Sequence, residues 1–200
     1  MKEQLLNLAK QRRSIYALGR NVSASEDDIA ALIKETIKWA PTSFNNQTTR
    51  AAILFGDSHE KLWDIVAKRL KSEVPNEEAY QKTLEKINAF KSAFGTVMYY
   101  TDMDVVHRFE NDFALYADNF ADWAEQAQGN AQFAVWTSLA ENGIGANLQH
   151  YNPLIDDQVK KAFGIPDSWK LRAQMDFGSI EAPAGEKEFM NDEDRFKVLK

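Results

Sequence analysis

The clearest pattern in the chain is a helical spacing of apolar residues that begins after Ser25. The apolar and small residues of this stretch recur at intervals of three and four and include Ile29, Leu32, Ile33, Thr36, Ile37 and Ala40. Such spacing places side chains on one face of a helix. Ser25 followed by Asp28 resembles a capping box, and Pro41 cannot continue a helix. The pattern predicts an amphipathic helix between Ser25 and Pro41.

Similar stripes predict helices along most of the remaining chain. They lie near residues 5–12, 58–70, 80–90, 104–120, 123–141 and 156–163. Asp57 or Ser58 is expected to cap the second of these helices. The stretch from Trp123 to Glu141 is expected to be the most buried helix, because its small and apolar residues spread around most of the circumference.

Strands are fewer and widely separated. Short apolar or β-branched runs predict strands near residues 51–55, 96–100 and 171–177. Residues 181–188 lack periodicity and are read as a loop or arm, whereas residues 194–199 alternate and predict an edge strand. We expect a single domain over residues 1–200, with residues 181–200 as a C-terminal arm. The fold class predicted is α+β, a three-layer sandwich with a mixed sheet flanked by helices.

Composition narrows the function classes. The chain has 200 residues, 44% hydrophobic and 27% charged, with a net charge of -6. The acidic balance argues against nucleic acid as the main partner, although it allows a small basic pocket for one phosphate. The chain contains no cysteine. Disulfides, zinc–thiolate sites, iron–sulfur clusters and a cysteine nucleophile are therefore excluded.

The N-terminal segment is charged and amphipathic. It lacks the apolar core of a signal peptide, and the sequence has no run of 18 apolar residues that would suggest a membrane span. We therefore expect a cytoplasmic protein with no membrane partner.

Two polar segments in the first quarter of the chain are candidates for binding. Arg12, Arg13 and Ser14 follow the first helix. Paired guanidinium groups and a hydroxyl can clamp a phosphate, although a solvated basic turn would look the same. The stretch 41–47 follows the next helix and offers hydroxyls, amides and free N–H groups that can ring a polar heterocycle. A plain connection to the next strand is the alternative.

Two further candidates lie late in the chain. Residues 143–153 begin with glycines and continue with polar and aromatic side chains. The pattern is not a dinucleotide fingerprint, because it follows a helix and lacks a third glycine. His150 within it is equally compatible with a structural hydrogen-bonding role. Arg195 and Lys197 alternate, so they share one face of the predicted edge strand. They form either a second phosphate contact or a solvated edge.

Other chemistries lack their motifs. The three histidines are far apart in sequence, and the chain has no H-E-x-x-H motif, no nucleophile elbow and no P-loop. No metal site is expected. The carboxylate pairs at residues 27–28 and 156–157 stand where helix N-termini favour negative charge.

The order of the four candidate segments resembles the nitroreductase family. Residues 12–18 and 143–153 are similar to its nitroreductase-like, or fatty-acid-repression-type, branch. The resemblance covers nearly the whole chain. It implies a nitroreductase-like sandwich that is an obligate homodimer with exchanged C-terminal arms. It also implies tightly bound FMN between the two subunits.

The resemblance assigns cofactor contacts residue by residue. Phosphate and ribityl contacts are implied for Arg12, Arg13, Ser14, Arg195 and Lys197. A loop that reaches the flavin from the other subunit is implied for Pro41, Thr42, Ser43 and Asn45, with Gln47 bracing it. Ring contacts are implied for Leu148, Gln149 and His150. A further contact from the partner is implied around Gln126 and Gln128.

Two departures from the family pattern alter this expectation. Tyr16 stands at a contact position where many members carry a basic residue, which places more weight on Arg12 and Arg195. Better-known members have a carboxylate near the position of His150. This second exchange leaves nicotinamide binding open.

The implied activity is an FMN-dependent, ping-pong transfer of hydride from NAD(P)H to nitroaromatic or quinone-type acceptors. No catalytic side chain is required, because the cofactor carries the chemistry. Two alternatives remain: an FMN-binding regulatory or stress-response protein with little turnover, and a structural homodimer that has lost its cofactor. We expect aromatic residues within 104–120 to determine acceptor specificity, and packing in the core is the alternative. These residues form the aromatic stretch and are Phe109, Phe113, Tyr116 and Phe120.

Overall fold

A five-stranded sheet lies between two layers of helices. The computed structural model describes residues 2–200. Its strands are β1 (Leu18–Gly19), β2 (Thr49–Phe55), β3 (Gly95–Asp102), β4 (Gly145–Gln149) and β5 (Trp169–Ile180). Its helices are α1 (Gln4–Gln11), α2 (Glu26–Trp39), α3 (Gly56–Leu70), α4 (Glu77–Lys91), α5 (Met103–Asp112), α6 (Phe120–Glu141), α7 (Asp156–Phe163) and α8 (Asp192–Arg195). The predicted α+β sandwich is confirmed.

The strands run in the order β1-β5-β3-β2, and β4 also pairs with β5. All of these pairs are antiparallel, where a mixed sheet was expected. Helices α3 and α4 pack against each other between β2 and β3. A helical hairpin returns the chain to the end of the sheet where β2 finishes, so that Phe55 pairs with Gly95, whereas a single crossover helix would carry it to the other end and give a parallel pair. Parallel pairing within residues 2–200 is limited to an isolated bridge between Ser14 and Ala146.

The sheet has a separate apolar core on each face. Val97 and Tyr99 of β3 pack with α2 and α6, while Met98 and Tyr100 pack with α3, α4 and α7. Every residue of β3 is buried, because successive side chains point to opposite faces and both faces are covered. This double coverage explains why β3 reads as a continuous apolar and aromatic run.

The start of α2 confirms the predicted cap. The Ser25 hydroxyl oxygen accepts a hydrogen bond of 3.1 Å from the Asp28 backbone N–H. The predicted cap of α3 is wrong. This helix begins at Gly56 without a side-chain cap. Gly56 has a φ of +48°, so the chain turns directly from β2 into α3 in a conformation that favours glycine.

Replacing Ser25 with alanine is expected to lower the free energy of unfolding by about 1 kcal/mol, because one N-terminal amide of α2 loses its acceptor. Urea denaturation measures the change. Ser23 is also exposed and stands just before the helix, so Ser23→Ala is the matched control. Equal losses in the two variants would contradict the capping role.

Three segments differ from the sequence expectation. Residues 104–120 divide into α5 and a 3₁₀ turn over Ala114–Asn119. Residues 145–149 form β4, where no strand was predicted. The predicted edge strand at 194–199 is wrong for the single chain, where α8 is one helical turn and an exposed extended segment follows it. An edge strand needs a neighbouring strand, and this arm has none within residues 2–200.

No helix within residues 2–200 combines the length and apolarity needed to cross a membrane.

Candidate functional site

A cavity of about 550 Å³ lies between a segment near the start of the chain and a segment near its end. One wall comes from the segment after α1, including Arg12, Arg13, Ser14 and Tyr16, and the other from residues 182–187. This volume is within the range of small-molecule sites in proteins. The structure therefore places four of the predicted contact residues around one cavity.

Arg12 is held in place by an aromatic ring. Its guanidinium lies 4.5 Å from the centre of the Trp136 ring on α6. Its Nε is buried and has no hydrogen-bond partner within residues 2–200. Burial and, to a smaller extent, the neighbouring charge of Arg13 lower the pKa of Arg12. A buried cation with an unused donor is costly unless an anion pairs with it.

The second wall is tied to the first by backbone and side-chain contacts. Arg13 Nη2 donates a hydrogen bond of 2.6 Å to the Gly185 carbonyl, 172 residues along the chain. The Glu181 backbone N–H donates to the carbonyl of Ala17 at 2.9 Å. Lys187 also lines the cavity. Three cationic residues and one acidic residue, Glu186, therefore surround a space suited to an anion.

The segment after α1 is also hydrogen-bonded to β4. The Ile15 backbone N–H donates a hydrogen bond of 2.9 Å to the Ala146 carbonyl. Asn147 Nδ2 in turn donates to the Ile15 carbonyl at 2.9 Å. The structure thus brings the predicted phosphate segment and the predicted ring segment together. Within the ring segment, Leu148 and Gln149 are partly buried and His150 is exposed.

The loop at residues 41–47 adopts an unusual backbone conformation. Phe44, Asn45 and Gln47 have φ angles of +55°, +48° and +51°. Such angles cost non-glycine residues about 1–2 kcal/mol each. The Thr42 hydroxyl oxygen accepts a hydrogen bond from the Gln47 backbone N–H at 3.0 Å, and Asn130 Nδ2 donates to the Pro41 carbonyl at 3.1 Å.

The loop, which includes the predicted contacts Ser43 and Asn45, contributes no residue to the cavity described above. Conformational strain of this kind concentrates at binding and catalytic sites. The loop is therefore a second candidate binding element, separate within one chain from the basic cavity.

Replacing Gln47 with glycine is expected to raise the free energy of unfolding by about 0.5–1 kcal/mol, because glycine adopts a positive φ without steric cost. Gln81 lies within α4, and Gln81→Gly is expected to lower the same quantity by about 1 kcal/mol. Chemical denaturation measures both. Opposite signs are the expected result, and a loss in both variants would contradict the strain at Gln47.

The aromatic stretch divides between core and surface. Phe120 is fully buried, while Phe113 and Tyr116 are 38% and 42% exposed. The half-exposed Phe44 ring packs on Phe113 at a centroid distance of 4.9 Å and on Tyr116 at 5.9 Å. Core packing therefore accounts for Phe120. The exposed rings remain candidates for acceptor binding, and Phe44 joins them, which sequence periodicity did not reveal.

Other predicted contacts lie elsewhere in the single chain. Gln128 is buried, and its Nε2 donates to the Tyr100 carbonyl at 2.7 Å and to Thr101 Oγ1 at 3.0 Å. Here it fastens α6 to β3. Arg195 and Lys197 are exposed on the arm and do not line the basic cavity. The flavin contacts implied for these three residues stay predictions.

No group of three or more potential metal-binding side chains occurs within residues 2–200.

The fold and the site together define a three-layer α+β sandwich with a basic cavity. The model of the nitroreductase family matches residues 9–179, and the chain belongs to this family. Nitroreductase CinD from Lactococcus lactis, in complex with nicotinic acid, is 53% identical with a TM-score of 0.92, covering 98% of this chain and 100% of that one. Nitroreductase FRM2 from Saccharomyces cerevisiae is 36% identical over 190 residues, or 93% of each chain.

More distant structures share the fold. A nitroreductase with bound FMN from Desulfitobacterium hafniense has a TM-score of 0.71 at 14% identity, covering 100% of both chains. The match of the family model over residues 9–179 confirms the family resemblance identified in the sequence.

Proposed function

We propose that this protein is an FMN-dependent oxidoreductase that transfers hydride from NAD(P)H to nitroaromatic or quinone-type acceptors by a ping-pong mechanism. The observation that carries the proposal is the partly buried guanidinium of Arg12, whose Nε has no hydrogen-bond partner within residues 2–200, in a basic cavity next to β4. Family membership supports an oxidoreductase. The aromatic ligands named in the CinD complexes, which include chloramphenicol and 4-nitrophenol, support an aromatic acceptor.

The residues of the cavity fit the phosphate of FMN. The partnerless Nε of Arg12 and the adjacent Arg13 supply charge-assisted donors, and the Ser14 hydroxyl supplies a neutral one. The contact between Ile15 and Ala146 fixes this group of donors relative to β4. Leu148, Gln149 and His150 would lie along the ring, and FMN supplies hydride acceptance and donation when bound.

The protein's own contribution is position and electrostatics. Arg12 and Arg13 bind the anionic end and favour extra negative charge nearby, and β4 orients the ring. The aromatic rings of Phe44, Phe113 and Tyr116 offer an apolar surface for a flat acceptor. We assign none of these groups a proton exchange with the substrate, because the bound cofactor would carry the chemistry.

We further propose a homodimer with exchanged arms. Strand β2 ends the strand order, so one of its edges is unpaired. A groove of about 510 Å³ runs between α2 and β2 and includes Lys34, Lys38 and Arg50. The exposed arm carries an acidic run at residues 192–194, followed by alternating apolar residues. Charge complementarity and an open strand edge favour addition of the arm of a second copy.

Sedimentation is expected to give twice the chain mass of 22.8 kDa. A chain shortened after Glu188 is expected to shift toward monomer and to retain less FMN, because Arg195 and Lys197 are removed with the arm. A full-length monomer that still binds FMN would contradict the exchanged dimer.

The activity is tested by the spectrum and kinetics of the purified protein. We expect a flavin absorbance band, rapid reduction by NADH or NADPH in stopped flow, and reoxidation by a nitroaromatic such as chloramphenicol. Parallel lines in double-reciprocal plots would support the ping-pong scheme. Reduction too slow to sustain turnover would instead favour the regulatory or stress-response role. Protein without bound flavin, and without affinity for added FMN, would overturn the proposal. A cytoplasmic location remains part of the proposal.

A further inference from the structure

A hydrogen-bonded chain of three polar side chains, called the polar chain below, lies buried between helix α3 and strands β3 and β5. His59, Thr96 and Asp176 are each at most 1% exposed. His59 Nδ1 lies 2.8 Å from Thr96 Oγ1. Thr96 Oγ1 lies 2.7 Å from Asp176 Oδ1. Three residues from three different elements are therefore joined by two short hydrogen bonds in the core.

The hydrogen-bond partners restrict where the protons are. His59 Nε2 lies 3.1 Å from the Lys91 carbonyl, which only accepts, so Nε2 carries a hydrogen. Burial lowers the pKa of His59 to about 4, so the ring is neutral and Nδ1 accepts. The single hydroxyl hydrogen of Thr96 has two acceptors within reach, Asp176 Oδ1 at 2.7 Å and His59 Nδ1 at 2.8 Å. Because the neutral ring leaves Nδ1 without a hydrogen of its own, we assign the hydroxyl hydrogen to Nδ1 rather than to Asp176. Trp63 Nε1 donates to the same oxygen at 3.2 Å.

Asp176 must then donate to Thr96, which requires a protonated carboxyl. Burial raises the pKa of Asp176 well above its usual value and outweighs the lowering effect of the neighbouring Thr96 and Trp63 side chains, which favours the protonated carboxyl. Moving one proton from Asp176 to Thr96 and another from Thr96 to His59 gives an ion pair with the same total of protons. Because two buried charges cost more than two neutral groups, the neutral arrangement is favoured.

The charged groups around His59, at one end of the polar chain, differ from those around Asp176 at the other end. Arg20, Glu60 and Lys91 lie near His59 and include both signs. Near Asp176 the charged or titratable neighbour is Tyr151, whose pKa is raised to about 12 by burial and, to a smaller extent, by Asp176. No cation stabilises an ionised Asp176, and its Oδ2 has no partner within residues 2–200.

One member of the polar chain and two of its neighbours, Trp63 and Gln174, contact the two ends of the segment 147–151. Asp176 is paired with Asn147 across β4 and β5. At the other end, the Trp63 ring packs edge-on against Tyr151 with a centroid distance of 5.8 Å. The side chain of Gln174, two residues before Asp176 on β5, accepts a hydrogen bond of 2.8 Å from the Tyr151 backbone N–H. The same segment includes the residues predicted to contact the flavin ring.

We propose that Asp176, Thr96 and His59 form a proton-sharing triad that keeps the buried Asp176 carboxyl uncharged. In addition, Asp176 and Thr96 act as positioning residues for the segment 147–151. The first half concerns the protein alone. The second half rests on the proposed FMN function.

Infrared and NMR spectroscopy test the proton assignment on the full chain, with or without flavin. At pH 7 we expect a protonated-carboxyl band that disappears in Asp176→Asn, and a His59 ring with its only proton on Nε2. A carboxylate signal from Asp176, or a doubly protonated His59, would overturn the triad. A protein that binds no FMN would leave this result unaffected and would refute only the positioning role and the proposed function.

The positioning role is tested by the visible circular dichroism and the two-electron reduction potential of bound FMN. Thr96→Val removes the link. We expect it to change the ratio of affinities for oxidised and reduced FMN about tenfold, which corresponds to about 30 mV. Thr96→Ser should restore the wild-type values. Thr83 bonds only the Ala79 carbonyl within its own helix, and Thr83→Val is the matched control.

Two outcomes would refute the proposal, the first its positioning role and the second its uncharged carboxyl. One is a Thr96→Val protein with the same dichroism and potential as Thr83→Val. The other concerns Asp176→Asn, which keeps a neutral donor to Thr96 and decides the matter where Thr96→Val does not fold. A higher potential in this variant would show that a negative charge had been removed, and therefore that Asp176 is ionised in the native protein.

Discussion

Replacing Arg12 with alanine is expected to weaken FMN binding roughly 10- to 150-fold. The basis is the loss of a charge-assisted hydrogen bond, worth about 1.5–3 kcal/mol. The structure adds a reason for the strength of this contact. The Trp136 ring holds the guanidinium at 4.5 Å, so little side-chain entropy remains to be lost on binding. Fluorescence titration of the flavin-free protein with FMN measures the affinity.

Two controls separate binding from folding. Arg69 lies on α3 and pairs with Glu73, far along the chain from the cavity, so Arg69→Ala should leave the FMN affinity unchanged. Arg12→Lys keeps the charge but loses the planar, two-pronged donor, and an intermediate affinity is expected. Loss of the stacking on Trp136 is expected to lower the melting temperature slightly, so each titration is made well below it. An unchanged FMN affinity in Arg12→Ala would refute the phosphate contact.

Raising the pH above 6.5 is expected to destabilise the protein through Asp176. Burial raises the pKa of this carboxyl in the fold, whereas in the unfolded chain it ionises near its ordinary value. Over the pH range in which Asp176 stays protonated in the fold, the folded state therefore holds one more proton than the unfolded chain. The free energy of unfolding falls by about 1.4 kcal/mol for each pH unit over which Asp176 stays protonated. Comparing urea denaturation of the wild type and Asp176→Asn isolates this slope.

Below pH 6.5 the pH-dependent loss of stability is expected in Asp176→Asn and not in the wild type. Folding lowers the pKa of His59 from 6.5 to about 4, so His59 alone would remove stability as the pH falls between these values. In the wild type the extra proton on Asp176 offsets this loss. In Asp176→Asn the offset is gone, and acidification from pH 6.5 to 4 should cost about 3 kcal/mol. Parallel stability curves of the two proteins would contradict the raised pKa of Asp176, and an Asp176→Asn curve that stays flat between pH 6.5 and 4 would contradict the lowered pKa of His59.

The sequence predicted the helices of this fold well because their signals are local. Ser25, Asp28 and Pro41 specify the limits of α2 within one short stretch, and the spread of small residues correctly identified α6 as buried. Strand β4 was missed for a physical reason. Gly145 begins this strand, and the space that a Cβ atom would need there is occupied by the side chains of Ile180 and Leu18 from other elements. A glycine required by distant neighbours looks the same in sequence as one required by a turn.

The candidate site was predictable in its parts and not in its assembly. Arg12, Arg13 and Ser14 were identified from residue chemistry, and the structure places them together. Lys187 was overlooked, because a single lysine in an irregular acidic arm carries no pattern. The stacking of Arg12 on Trp136 and the left-handed Phe44 depend on tertiary contacts. For the same reason, no local pattern marks the link from His59 through Thr96 to Asp176, whose residues lie 37 and 80 positions apart.

The two walls of the basic cavity come from opposite ends of the polypeptide, residues 12–17 and 182–187. Translation proceeds from the first wall to the second, and the second appears only after more than nine-tenths of the chain has been made. A nascent chain on the ribosome therefore cannot enclose an anion there, however early its first helices form. Enclosure of a ligand there waits until the second wall has been made and has folded against the first.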